Sequence, residues 1–190
     1  MAQAQTISAG SSTWVVLLRG VNVAGKNLLP MKDFAALLGS LGGEQVKTYV
    51  QSGNAVVRFG RSSAAGLAQR IGVTIYDTLG FRPYTAVLSL DEIAAAVAAN
   101  PFPEAVPDPT SLHVFFLGAA PRAQDIKALE AKKSANERIA LVGTNLYLHA
   151  PDGFAKSALA RSVESQLSVN ATARNWRTVS RLLEMAQAVQ

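Results

Sequence analysis

Gly20-Val21-Asn22-Val23-Ala24-Gly25-Lys26-Asn27 follows an apolar run and is the most suggestive segment of the chain. Its spacing fits G-x-x-x-x-G-K, a pattern in which backbone N–H groups and a lysine cradle phosphates. A nucleotide-hydrolysing loop continues with Ser or Thr, whose hydroxyl binds magnesium, but Asn27 stands there. Such a loop also runs straight into its helix, so that the helix N-terminus faces the phosphate. Here Asn27, Leu28 and Leu29 intervene before Pro30. Nucleotide hydrolysis by this loop is therefore set aside. A looser chemistry survives, in which Gly20 and Gly25 present backbone N–H groups and Arg19, Asn22, Lys26 and Asn27 hold an anion. The competing reading is structural: the glycines set the turn and the Asn side chains cap it.

Two further segments carry polar groups in patterns that suit binding. Gln51-Ser52-Gly53-Asn54 reads as a polar hairpin tip. Ser-Gly supplies the positive φ that such turns need, whereas Gln51 is not demanded by the turn. Near the end, Arg174, Arg177 and Arg181 recur at i, i+3 and i+7. With Thr172 as cap, Arg174 is expected in the first turn of the last helix, where the helix dipole already places positive charge. Three guanidinium groups on one face would attract phosphate or carboxylate, and the competing reading is a solvated face with Arg181 paired to Glu184. Trp176 is assigned to the core. His113 and His149 fall in strands and are assigned structural roles. The expected anion site thus comprises Arg19, Asn22, Lys26, Asn27, Gln51, Ser52, Asn54, Arg174, Asn175 and Arg177, with no metal and no cofactor.

Composition narrows the rest. The 190 residues are 49% hydrophobic and 16% charged, which suits one large or two small domains with a packed core. Cys is absent, so disulfides, zinc thiolates, iron–sulfur clusters and thiol nucleophiles are excluded together. No paired carboxylates or nucleophile elbow stand out. The net charge is +5, which favours anionic partners. More than half of that excess lies in residues 153–190. Residues 1–12 are rich in Ala, Gln, Ser and Gly and read as a mobile leader, not a secretory signal. No stretch approaches the roughly 18–20 apolar residues that span a bilayer. A cytoplasmic location without membrane contact is expected.

The elements that must position these groups follow from periodicity. Trp14–Leu18 is a continuous apolar run, read as a strand buried on both faces. Met31, Phe34, Leu37, Leu38 and Leu41 recur at helical spacing between Pro30 and Gly42-Gly43. Val46–Val50 and Ala55–Phe59 flank the Ser-Gly tip as a hairpin. Leu67, Ile71, Ile75 and Leu79 mark a second helix, Tyr84–Leu88 a strand, and Ser89 with Glu92 a capping box opening a further helix. The order β-α-β-β-α-β is the split βαβ, or ferredoxin-like, order. Four prolines between Pro101 and Pro109 mark a boundary, after which the order restarts with strand Leu112–Leu117, helix Ala123–Lys132 and a hairpin around Gly143-Thr144-Asn145. The run Leu-Val-Gly-Thr-Asn-Leu-Tyr-Leu at 141–148 echoes Val-Gln-Ser-Gly-Asn-Ala-Val-Val at 50–57, which points to internal duplication. Asp152-Gly153 is expected to cap the helix marked by Leu159, Val163 and Leu167. Trp176, Val179, Leu183 and Ala186 mark another, and no final strand is evident. The expected fold is α+β: two related ferredoxin-like units with antiparallel or mixed sheets, residues 13–100 and 111–190, joined by a Pro-rich linker at 101–110. The second unit ends in two helices.

Four motifs then resemble one bacterial family. Leu17-Leu18-Arg19-Gly20-Val21-Asn22-Val23-Ala24-Gly25-Lys26-Asn27 resembles its opening signature. Thr48–Asn54, Tyr147–Gly153 and Thr172–Val179 resemble three later ones, in the same order. The family is called domain of unknown function 1697, and the similarity runs from about Trp14 to about Met185. One departure is Ala24, where the family pattern implies Gly. The resemblance implies repeated ferredoxin-like α+β units and no particular reaction. From the residues themselves, the leading expectation is a module that binds a phosphate-bearing ligand, nucleic acid or nucleotide-like. An enzyme acting on a small phosphorylated or carboxylated substrate and a protein-interaction or oligomerisation module are the alternatives. Ferredoxin-like RNA binders stack bases on sheet aromatics, and here only Phe115, Phe116 and Tyr147 offer themselves.

Overall fold

The computed structural model describes residues 11–189. Most of the expected leader, residues 1–10, lies outside them, and Ser12 already opens the first strand. The first sheet contains β1 (Ser12–Leu18), β2 (Glu44–Tyr49), β3 (Asn54–Phe59) and β4 (Thr85–Ser89). Helices α1 (Met31–Ser40) and α2 (Ala64–Leu79) make its crossovers, and α3 (Leu90–Ala98) follows. The second sheet contains β5 (Leu112–Leu117), β6 (Arg138–Val142), β7 (Asn145–His149) and β8 (Ala171–Asn175). Its helices are α4 (Ala123–Glu130), α5 (Ala158–Leu167) and α6 (Trp176–Gln187). Strand orders are β2-β3-β1-β4 and β6-β7-β5-β8, with every neighbouring pair antiparallel. Both are ferredoxin-like, as the order of elements predicts. Contacts divide the chain into one unit that runs through Asp91 and includes residues from Glu184 onward, and a second spanning Glu92–Leu183.

The repeat extends to individual hydrogen bonds. Leu18 N–H donates to the Gly53 carbonyl at 2.8 Å, and Leu117 N–H to the Thr144 carbonyl at 2.9 Å. Arg19 N–H donates to Tyr84, and Gly118 N–H to Asn170, at 2.9 and 2.8 Å. In each unit the end of the first strand is thus tied to the hairpin tip on one side and to the entry of the fourth strand on the other. The connections differ: residues 19–30 link β1 to α1, whereas 118–122 suffice between β5 and α4.

Apolar residues on one face of each sheet meet the crossover helices. Trp14, Val16 and Leu18 join Phe34, Leu38, Leu67, Ile71 and Ile75 in one core. Phe115, Leu117, Leu146 and Leu148 join Leu129, Leu159, Val163 and Leu167 in the other. The alternate positions are buried too: Val15, Leu17 and Val56 in the first sheet, Val114, Phe116 and Tyr147 in the second. This is why the central strands read as unbroken apolar runs, while the edges β2 and β6 carry exposed polar residues. Burial pushes the Tyr147 hydroxyl up to about 12, and it donates to the Ala96 carbonyl at 2.6 Å. Phe115, Phe116 and Tyr147 are all buried, so none of the three forms an open platform for bases.

The end of the second unit departs from expectation. Residues 171–175 form β8, paired with β5 from Leu117↔Ala171 to His113↔Asn175. Arg174 therefore lies in a strand, not in the first turn of a helix, and α6 begins only at Trp176. Asn175 replaces Thr172 as the cap: its Oδ1 accepts the Thr178 N–H at 2.9 Å. The expected face of Arg174, Arg177 and Arg181 does not exist, because only the last two are helical. Likewise Ser157, not Asp152-Gly153, caps α5, its Oγ accepting Ala160 N–H at 2.9 Å. Asp152 instead accepts from the Asn136 amide.

His113 is a packed core group. Its ring stacks on Phe154 with centroids 3.9 Å apart, and its Nδ1 is buried without a hydrogen bond. Burial lowers its pKa from 6.5 to about 4. The unfolded chain thus binds a proton that the folded one refuses, so this stability is present above pH 6.5 and is lost as pH falls towards 4. The difference corresponds to at most about 3 kcal/mol. Urea denaturation should show unfolding free energy declining across that window, and His113→Phe should flatten the decline. Equal pH slopes for the two proteins would refute the assignment.

Candidate functional site

The loop after β1 is a miniature hairpin. Asn22 N–H donates to Asn27 O at 3.1 Å, and Lys26 N–H to Val23 O at 2.9 Å, with Val23 and Lys26 bridged. Ala24 and Gly25 at the tip have φ of 49° and 75°, the two left-handed positions of a type I′ turn. Asn22 and Asn27 flank it, also left-handed at 55° and 50°. Asn tolerates that region better than other residues with a Cβ, which gives both residues a conformational reason for their places.

The Asn22 side chain joins this loop to the second candidate segment. Its Nδ2 donates to the Leu29 and Gln51 carbonyls, each at 2.8 Å, and its Oδ1 accepts Leu29 N–H at 2.8 Å. Both amide hydrogens and the carbonyl are thereby engaged. Gly53 lets the tip close on the loop: a Cβ there would stand 2.7 Å from Leu18 Cβ and Val21 Cγ2, and its φ is +74°. Asn54 is fully buried and closes the β2–β3 turn, donating to the Tyr49 carbonyl and Ser52 Oγ at 3.0 Å each. Asn27 Nδ2 donates back to the Gly20 carbonyl at 2.9 Å. The three asparagines therefore brace the two loops, and the exposed polar side chains left around them are Arg19, Lys26, Gln51 and Ser52.

Arg174, Asn175 and Arg177 belong to the other unit. Arg174 is buried, with Nη1 donating to Thr172 Oγ1 and the Ala173 carbonyl at 2.8 Å each. Burial pulls its pKa down from 12.5 to about 10. Asn175 is occupied as a cap, and Arg177 is exposed. Of the expected site, the structure brings together the first loop and the hairpin tip.

A model of the family described as "Protein of unknown function (DUF1697)" matches residues 12–147. The chain belongs to this family. Among solved structures, a conserved bacterial protein, SP0830 from Streptococcus pneumoniae, is similar at 22% identity with a TM-score of 0.72. The match covers 93% of this chain and 99% of that one, and it is a likeness of fold. No functionally curated protein matches. Within the DUF1697 chain, Ala24 occupies a left-handed turn position, where Gly would carry no Cβ penalty.

Sequence reading missed the apolar part of this surface. Val23, Leu28 and Val50 are 59%, 62% and 50% exposed, and all three lie on the joined loops. The available signal was an apolar residue set inside a polar turn. Among the described residues, no group of His, Asp or Glu suits a metal ion. No helix there is long and apolar enough to cross a membrane.

Asn22→Ala should cost about 2 kcal/mol in urea denaturation, since three hydrogen bonds are lost at once. It should also speed exchange of the Leu29 amide, and wild-type stability and exchange would contradict the bracing role. Gly53→Ala should cost at least about 2 kcal/mol, through overpacking and a strained φ. Ala24→Gly should be neutral or stabilise by up to about 1 kcal/mol, as relief of the left-handed Cβ outweighs added unfolded-state entropy. Destabilisation by Ala24→Gly would show that the turn is not strained at that residue.

Proposed function

We propose that this chain is a binding module whose first-unit loop and hairpin tip recognise a phosphate-bearing ligand, nucleic acid or nucleotide-like. The observation that supports this most directly is the triple hydrogen bond of Asn22, which fixes two loops as one body that carries Arg19 and Lys26 at its surface. A preorganised loop binds without the entropic cost of ordering itself, and loops held by a rigid scaffold are where binding groups concentrate. The first unit also has a much longer β1–α1 connection than the corresponding one in the second. Exposed Val23, Leu28 and Val50 supply apolar contact beside the cations.

With the sheet aromatics buried, nucleic acid would be held by phosphate contacts rather than by stacking on a sheet. A second reading, docking of a protein partner, rests on the three exposed apolar side chains of the loops.

Fluorescence anisotropy with labelled single-stranded RNA and DNA, and thermal shift with mononucleotides, test the proposal. Two phosphate contacts imply roughly tenfold weaker nucleic-acid binding between 50 and 200 mM salt. Arg19→Ala with Lys26→Ala should weaken binding at least about tenfold and flatten that salt dependence. Absence of salt-sensitive binding to all probes, or unchanged binding by the double variant, would overturn it. Val23→Ser with Leu28→Ser disrupting self-association in light scattering would favour the protein-docking reading instead.

A further inference from the structure

One sheet edge is guarded in the first unit and open in the second. In the first sheet the outer strand is β2, and its register with β3 shifts between Glu44 and Lys47, around a left-handed Gln45 (φ 50°). This irregularity distorts the edge, Glu44 and Lys47 place exposed charges on it, and α1 packs against it. Bulges, edge charges and covering helices all hinder the addition of another strand. β6 holds the same place in the second sheet. Its register with β7 is unbroken from Arg138↔His149 to Val142↔Asn145, and no residue in it is left-handed. α4 packs against α5 instead of along β6. The one charge on the strand, Arg138, is drawn onto the sheet's own face. It pairs with Glu104, lies 4.8 Å over the Phe102 ring and donates to His149 Nδ1 at 3.0 Å.

The hairpin fixes which backbone groups of β6 are open. Val142 and Asn145 flank a two-residue turn in which Gly143 has a φ of 60°, so they form a hydrogen-bonded pair. Such pairs alternate along an antiparallel ladder. Arg138, Ala140 and Val142 therefore direct their N–H and C=O groups to β7, whereas Ile139 and Leu141 direct theirs outward. Among the described residues, neither Ile139 nor Leu141 makes a backbone hydrogen bond to an element outside the sheet. Their side chains are half-buried at the margin of the second core, and Val142 at the strand's end is 41% exposed. The edge thus combines open donors and acceptors with an apolar border.

We propose that β6 pairs antiparallel with β6 of a second copy of this chain, about a two-fold axis at Ala140. Ile139 then meets the partner's Leu141 as a hydrogen-bonded pair, and the symmetry repeats the pair, giving four backbone hydrogen bonds. Only this register sets the open residues of one copy against those of the other throughout. The two Arg138 side chains fall at opposite ends, each across from the partner's Val142, so like charges do not meet. The Ile139 and Leu141 side chains of both copies join in one apolar cluster on the helix-facing side. A contact between two five-residue strands falls below the roughly 1,200 Å² of a stable interface, so dimer exchanges with monomer and accumulates as concentration rises.

The chain has no Cys, so a single introduced thiol reports on the axis cleanly. Ala140→Cys sets two thiols across a non-hydrogen-bonded pair with Cα atoms about 4.5 Å apart, within the disulfide range. Diamide should link this variant into covalent dimers at least about tenfold faster than Thr48→Cys, a half-exposed position on the guarded β2 edge, because pairing raises the effective thiol concentration. In sedimentation velocity, the wild-type chain should move from monomer towards dimer between about 10 and 1,000 μM. Ala140→Lys sets like charges opposite each other, and Leu141→Pro removes an outward donor without touching the β6–β7 ladder; either should keep the chain monomeric over that range. If neither variant folds, the cross-linking rates decide alone. Cross-linking no faster than that of Thr48→Cys, a wild-type monomer throughout, or a dimer that both variants leave intact overturns the proposal. Val23→Ser with Leu28→Ser should leave the Ala140→Cys cross-linking rate unchanged, so docking through the loops and pairing through β6 can fail separately.

Discussion

A strand that is apolar on both faces cannot border water, and this constraint governs where function can reside. Val15 and Leu17 on one side of β1, and Trp14, Val16 and Leu18 on the other, are all buried. In β5 the same holds for Leu112, Val114 and Phe116 on one side and for Phe115 and Leu117 on the other. With the sheet faces closed, the polar chemistry of the first unit is displaced to the ends of its central strands. At one end lie the joined loops with Arg19 and Lys26, and at the other a cleft lined by Arg58, Thr13 and Ser89. The ferredoxin-like topology is thus put to a different use from that of modules which stack bases on an exposed sheet.

Polar residues in such a protein divide into those that hold the backbone and those that remain for a ligand. Asn22, Asn27 and Asn54 are of the first kind: each spends its amide on loop carbonyls. Their residue type is dictated by left-handed backbone at 22 and 27, and by burial at 54. Arg174 is of the first kind as well: its Nη1 donates to the Thr172 hydroxyl and the Ala173 carbonyl of β8. Arg19 and Lys26 lie at the surface. Arg58 is buried as well, with a terminal nitrogen on Ser11 Oγ and an Nε that has no acceptor among the described residues.

Most of the fold was legible because its signals are local. The apolar runs at 14–18 and 112–117, the Gly-Asn and Thr-Asn hairpin tips, and the four-residue spacing from Leu67 to Leu79 each depend on neighbours in sequence. Strand β8 was not legible. Ala-Thr-Ala-Arg-Asn has one β-branched residue and no alternation, and it becomes a strand because β5 offers an unpaired edge. Missing that strand moved Arg174 onto a helix and created an arginine face that does not exist. Arg58 was overlooked for a related reason: a single Arg at the end of an apolar strand reads as an edge residue until the sheet is assembled.

By itself, the sequence determined the two repeated ferredoxin-like units and the segments from which polar groups could act, because periodicity and turn chemistry are written along the chain. Only the tertiary structure decided which of those groups are braces, which are buried and which reach the surface. That depends on hydrogen-bond partners far apart in sequence, such as Asn22 with Gln51, and on strand pairings whose specificity comes from the partner edge rather than from the strand's own residues.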